Sequence, residues 1–205
     1  MNNSISLKVL YILTKVGYWG LIGLIGIVTF AGFFMIALDP QLMKLGFPSD
    51  LFLATEVIFL ESNPGVPVEV ELSASSIDIP VKFLDTPTIC YVLFMTLLWL
   101  SCLTMIFRYF KLFMKQVVNG HVFEEASIFL VKKAALGLVI LEVIELISAI
   151  IGYYYIQRKF ELGNLEHDFS WPFLSSNLLL ALTLWVLAHI FQKGRALEEE
   201  QKLTV

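Results

Sequence analysis

The chain predicts an all-α membrane protein, a four-transmembrane-helix bundle with a small extracytoplasmic β-hairpin element between helices 1 and 2. Three observations carry that reading. The composition is 58% hydrophobic and only 16% charged, well above the roughly 45–50% apolar share of soluble domains. Four long runs with few or no charges hold the excess: 16–38, 86–107, 134–157 and 169–192. Basic residues collect on one side of these runs, and acidic residues on the other.

Each run exceeds the about 20 apolar residues that a helix needs to cross the hydrocarbon core. Only helices and closed barrels can satisfy their backbone there. With their flanks, the spans are read as about 13–38, 87–108, 133–157 and 171–192, within a single membrane domain of 1–205. The first run is longer than the roughly 7–15 residues of a signal-peptide core, so it is read as an uncleaved span. Its Gly17, Gly20, Gly23 and Gly26 recur every third residue. Such an edge lets helices approach closely, and suits packing against another span or a homo-oligomer.

Orientation follows from the basic residues. Lys8, Lys15, Arg108, Lys111, Lys115, Lys132, Lys133, Lys193, Arg195 and Lys202 fall on one side; Lys44, Lys82, Arg158 and Lys159 fall on the other. Cytoplasmic flanks carry the Lys/Arg excess, so both termini are expected in the cytoplasm. The net charge of -4 averages two unlike faces, and direct nucleic-acid binding is not expected.

The outer segment, about 50–85, has its own pattern. Val66, Val68, Val70 and Leu72 alternate with polar residues or Pro67, as do Ile77, Ile79, Val81 and Phe83 around Pro80. Two period-2 runs around the polar 73–76 read as a hairpin, with a third strand suggested at 56–60. Proline cannot donate to a ladder, so these are expected to be edge-type strands.

Between spans two and three, 108–133 reads as a helical hairpin projecting into the cytosol. Arg108, Lys111 and Lys115 recur at helical spacing, Asn119-Gly120 gives a helix-end signal, and Glu124 and Glu125 suit the positive end of the next helix. Lys132 and Lys133 mark where that helix meets the membrane. Basic residues here are most often topology signals and anionic-lipid contacts; docking of a cytoplasmic partner is the sharper reading. The tail, 193–205, is charged.

Chemistry is sparse. Glu142 and Glu145 lie inside the third span with no cation in any span to neutralise them, and a carboxylate in hydrocarbon is by default a site hypothesis. At i and i+3 they share one helix face. Two such groups cannot both stay charged cheaply, so at least one is expected as the neutral acid, donating to Asn177, Thr183, Thr104, Ser101 or a tyrosine. Cys90 and Cys102 are too far apart on one helix to pair. His121, His167 and His189 form no haem or zinc set, and no P-loop, Gly-x-Ser-x-Gly or His-Glu-x-x-His motif occurs. No enzyme activity, cofactor or metal is expected.

Two segments carry a family resemblance. One is Asn119-Gly120-His121-Val122-Phe123-Glu124 before span three. The other is the ending from Leu187 to Val205, with Ile190-Phe191, Gly194, Leu197, Glu198-Glu199 and Leu203-Thr204. With the four-span plan and the long outer segment, these resemble an uncharacterised bacterial membrane family, domain of unknown function 2975. The resemblance implies a bacterial inner-membrane protein and, because such proteins are often encoded beside a small helix-turn-helix regulator, a membrane partner of that regulator. It implies no catalytic residues. The sequence therefore favours a sensor or sequestering protein, with a small transporter or ion-pathway subunit using Glu142 and Glu145 as the alternative.

Overall fold

The structure, a computed structural model, describes residues 3–38, 44–48, 56–62, 66–73, 76–80, 86–161 and 175–203. Their order is α1 (Asn3–Leu38), β1 (Lys44–Pro48), β2 (Glu56–Ser62), β3 (Val66–Ser73), β4 (Ser76–Pro80), α2 (Thr86–Val118), α3 (Glu125–Lys159), β5 (Phe160–Glu161) and α4 (Ser176–Leu203). A helix pairs every backbone group along each apolar run, which lipid requires. All four helices are long and apolar enough to cross a membrane. This is a multi-pass membrane protein. Each helix extends beyond its apolar run at one end at least, α2 to Val118 and α4 to Leu203.

The chain divides into two compact units. The first comprises Met1–Ile27, Leu97–Val143 and Leu174–Val205. It holds two adjoining cores. In one, Phe113, Met114, Ile128, Val131 and Ala188 are buried, with Leu7, Tyr11 and Phe191 packed on them, so all four helices contribute. In the other, Ile106, Leu138, Leu141 and Ala181 are buried beside Trp99, Cys102, Leu103 and Leu184.

Small residues set the spacing. Ala134, Ala135 and Ala188 are 2%, 1% and 0% exposed, and side chains of this size let helix backbones approach in lipid. At Gly137 a methyl group would stand 2.7 Å from Ile106 Cγ1, and at Gly17 one would stand 2.9 Å from the Phe107 ring. Among the described residues of one chain, the expected glycine edge of α1 is thus only partly used. Gly17 packs against α2, whereas Gly20, Gly23 and Gly26 have nothing within 4 Å of an added Cβ. Only 6% of the first span's apolar window is buried, and residues such as Val16 and Ile27 are largely exposed. An outward apolar surface of that kind suits lipid.

The second unit comprises Val28–Thr96 and Ile144–Phe173. Its strands form a five-stranded antiparallel sheet in the order β1-β4-β3-β2-β5. The small hairpin expected from the sequence is therefore an incomplete description. Ser73 and Ser76, read as connection, are a paired position of the β3–β4 ladder. Nor are β3 and β4 edge strands. Pro67 is the second residue of β3 and Pro80 the last of β4, places where a missing N–H costs a sheet least. The continuations at 81–83 lie outside the described residues. β5 follows α3 directly and pairs with β2 through Glu61↔Glu161 and Ser62↔Phe160. In the same unit, Gly32 of α1 meets Leu93 of α2, where a Cβ would come within 2.6 Å of Leu93 Cδ2.

Glycine substitutions test this packing. Gly137→Ala should cost about 1–3 kcal/mol, because Ile106 Cγ1 is a branch atom that cannot swing aside alone. Gly23→Ala should be neutral or gain up to about 1 kcal/mol from helix propensity. Denaturant unfolding in mixed micelles measures both, and equal effects would contradict the packing.

Candidate functional site

Two places in the first unit combine polar chemistry with defined geometry. The deeper one is Glu142. Along α3 the buried positions include Ser127, Ile128, Val131, Ala134, Ala135, Leu138, Leu141, Glu142 and Ile144, spaced by threes and fours in the manner of one face of a helix. Glu142 follows Leu138 by one turn and is carried into the core by that periodicity. It is 5% exposed, and its Oε2 is buried with no hydrogen-bond partner among the described residues. Nine residues separate it from Lys133, roughly 13 Å of helix rise.

Three of the partners expected for it turn their hydroxyl protons elsewhere. Ser101 Oγ donates to the Leu97 carbonyl at 2.7 Å, Thr104 Oγ1 to Leu100 at 2.7 Å and Thr183 Oγ1 to Leu179 at 2.8 Å. Each hydroxyl returns to its own helix one turn back, the cheapest pairing available in an apolar medium. Glu145 is half-buried and has a partner of its own. The two carboxyl groups therefore differ in surroundings, although one helix carries both.

The second place is the head formed where α2 turns into α3. Gly120, at φ 86°, ends α2 in a left-handed conformation that favours glycine. His121 N–H bonds the Gln116 carbonyl at 3.0 Å and Gly120 N–H bonds Val117 at 3.1 Å, the double closure of a Schellman cap. The Glu124 carbonyl then accepts from Ser127 N–H and Ile128 N–H to start α3. Ser127, fully buried, donates through its hydroxyl to the His121 carbonyl at 2.6 Å. The connection is consequently short and fixed at both ends.

This turn is fastened to α4. An added Cβ on Gly194 would lie 2.9 Å from the Phe123 ring. Phe123 meets Phe191 edge to face at 6.0 Å, and Phe191 stacks on Phe113 at 5.9 Å. Arg195 reaches Glu125 Oε2 at 3.2 Å and Glu199 Oε1 at 2.8 Å, while His121 Nδ1 contacts Glu124 Oε1. Around them lies an open cleft of about 330 Å³ lined by Gly120, His121, Phe123, Glu124, Glu125, Arg195 and Glu199.

The structure thus joins the two segments singled out in the sequence, 119–124 and the region after Leu187. A family profile matches residues 60–205 of the chain. The chain belongs to DUF2975, described as protein of unknown function. No curated protein and no solved structure matches it. The family assignment spans both joined segments and Glu142, and brings no catalytic role to any of them.

The remaining sequence-predicted positions are scattered. Arg108 and Lys115 are exposed, but Lys111 is half-buried with its ammonium 3.7 Å from the Tyr18 ring centroid, so the three do not form one exposed stripe. Lys133 lies over Phe129 and Tyr109, and Lys132 bonds Gln192. Cys90 is exposed, whereas Cys102 Sγ approaches the Gly137 carbonyl at 3.5 Å. His189 Nδ1 stands 3.4 Å from the Trp185 carbonyl. His167 lies outside the described residues. Among the described residues no cluster of three or more His, Cys, Asp or Glu could hold a metal ion. The Arg195 clasp escaped the sequence reading because its partner Glu125 is 70 residues away and already suited the α3 N-terminus.

Glu142 provides a stability test. An unpartnered buried acceptor costs about 1–3 kcal/mol, so Glu142→Met, similar in length, should raise unfolding stability by that order. A clear loss of stability would show that the carboxyl has a partner that matters.

Proposed function

We propose that this protein is a non-catalytic sensor or sequestering partner of a cytoplasmic regulator, set in the bacterial inner membrane with both termini inside. The observation that carries the proposal is the clasped head. A short, doubly capped turn held to α4 by Phe123 and Arg195 presents a polar open cleft beyond the apolar spans. A fixed surface of this sort suits recognition, since little ordering entropy remains to be lost on binding. The charge pattern supports the orientation, because the head lies on the side that is rich in Lys and Arg. In this arrangement the sheet lies outside the membrane.

The partner, in this reading, is a small DNA-binding protein, as the resemblance implied. Affinity capture from native membranes should recover it with wild type, whereas Arg195→Glu, which sets a third carboxylate beside Glu125 and Glu199, should weaken recovery at least tenfold without impairing insertion. Equal recovery by both would place docking elsewhere. For the orientation, cysteines introduced at Ser75 and at Lys202 should react with an impermeant reagent from opposite sides, and labelling of both from one side would overturn it.

A second reading rests on the unpartnered Oε2 of Glu142, which a proton or cation pathway would use. Purified protein in vesicles should then show an ion or proton flux that Glu142→Gln abolishes; absence of flux in wild type would remove this alternative.

A further inference from the structure

Three lysines at one level of the first unit reach across the seams between its helices. Lys111 of α2 places its ammonium over Tyr18 of α1, 3.7 Å from the ring centroid. Lys133 of α3 stands 5.5 Å from the ring of Tyr109 on α2 and 4.4 Å from that of Phe129 on its own helix. Lys132, its neighbour, donates to Gln192 Oε1 of α4 at 3.4 Å. The seams α1–α2, α2–α3 and α3–α4 are each bridged in this way. All three lysines are half-buried.

These contacts leave the ammonium groups chemically unfinished. A ring face attracts the charge but accepts no conventional N–H bond, and an ammonium has three donors. The bond to Gln192 uses one of them. No carboxylate among the described residues pairs with Lys111, Lys132 or Lys133; the ion-paired carboxylates of the head, Glu124, Glu125 and Glu199, are taken by His121 and Arg195. Glu125 also lies seven residues from Lys132, roughly 10 Å further along the helix. Tyrosine and lysine at the end of an apolar span are the residues that settle at the headgroup level.

We propose that this collar is a binding site for the phosphates of anionic lipid headgroups, one at each seam, and that these lipids brace the packing of the four helices. The three ammonium groups lie on three different seams instead of converging on a pocket. Such an arrangement suits a bilayer surface, which delivers a phosphate to every seam at once. Cation–π contacts hold Lys111 and Lys133 against their seams and the bond to Gln192 holds Lys132, while the remaining donors stay available to the lipid.

Native mass spectrometry of protein released from nanodiscs tests this, with phosphatidylcholine alone or mixed with phosphatidylglycerol. Wild type should retain phosphatidylglycerol selectively and unfold at a higher temperature in the mixed discs. Each of Lys111→Gln, Lys132→Gln and Lys133→Gln should lower retention about fivefold, the effect of roughly one juxtamembrane charge. The triple lysine-to-arginine variant should keep both selectivity and stabilisation, which guards against a variant that merely misfolds. A charge-matched triple, Lys8→Gln with Lys115→Gln and Lys193→Gln at exposed positions, should lose much less. Equal loss from the two glutamine triples would reduce the effect to general surface charge and overturn the site. Stabilisation in phosphatidylcholine discs by inorganic phosphate, matching that from phosphatidylglycerol, would assign a soluble anion and overturn the lipid as occupant.

Discussion

A peptide group in hydrocarbon has no water to bond, and every other feature of this protein is arranged around that constraint. It compels helix along each of the four apolar runs, and it removes the ordinary hydrophobic drive that would hold the helices together, since lipid is as apolar as their side chains. Association must then come from close fit. Ala134, Ala135, Gly137 and Ala188 supply it by keeping the backbones near one another. The sheet satisfies the same accounting by a different route, through ladder bonds between strands.

The spans were legible because length and hydropathy are summed signals that tolerate local error. A mean hydropathy of +0.78 leaves little choice of fold class, and a run of more than twenty apolar residues needs no neighbour to become a helix in lipid. Glu142 could also be found by inspection, since it interrupts such a run. Its isolation from Ser101, Thr104 and Thr183 could not. Those hydroxyls had two options, across to a neighbour or back to their own helix, and only rotamers and helix spacing decide between them.

The sheet and the head show where pattern alone fails. Alternation marked parts of β3 and β4, but strand order depends on pairings between distant segments, and Lys44–Pro48 and the two-residue β5 are too short to show a period. Proline in β3 and β4 suggested an edge, yet a proline near a strand end costs a sheet little wherever the strand lies. In the head, Gly120 announced the end of α2 correctly in kind, because a left-handed cap is a local requirement. The contact of Phe123 with Gly194 joins the α2–α3 turn to α4, and nothing in either segment alone specifies it.

The back-bonded hydroxyls have one more consequence. Thr96, Ser101, Thr104 and Thr183 each spend their donor on the carbonyl four residues back in their own helix. Thr96, Ser101 and Thr183 are exposed and Thr104 is half-buried, so what they turn outward is little more than methyl and methylene surface, and they act there as camouflaged small apolar residues. Contacts so free of directional bonds define a separation between helices far better than a sliding position along them. In the first unit the directional contacts that can fix the vertical alignment of α2, α3 and α4 include the approach of Cys102 Sγ to the Gly137 carbonyl, the lysine seams and the clasped turn. Within that unit most of these contacts gather at the polar end, which acts as the clamp on the relative height of the helices.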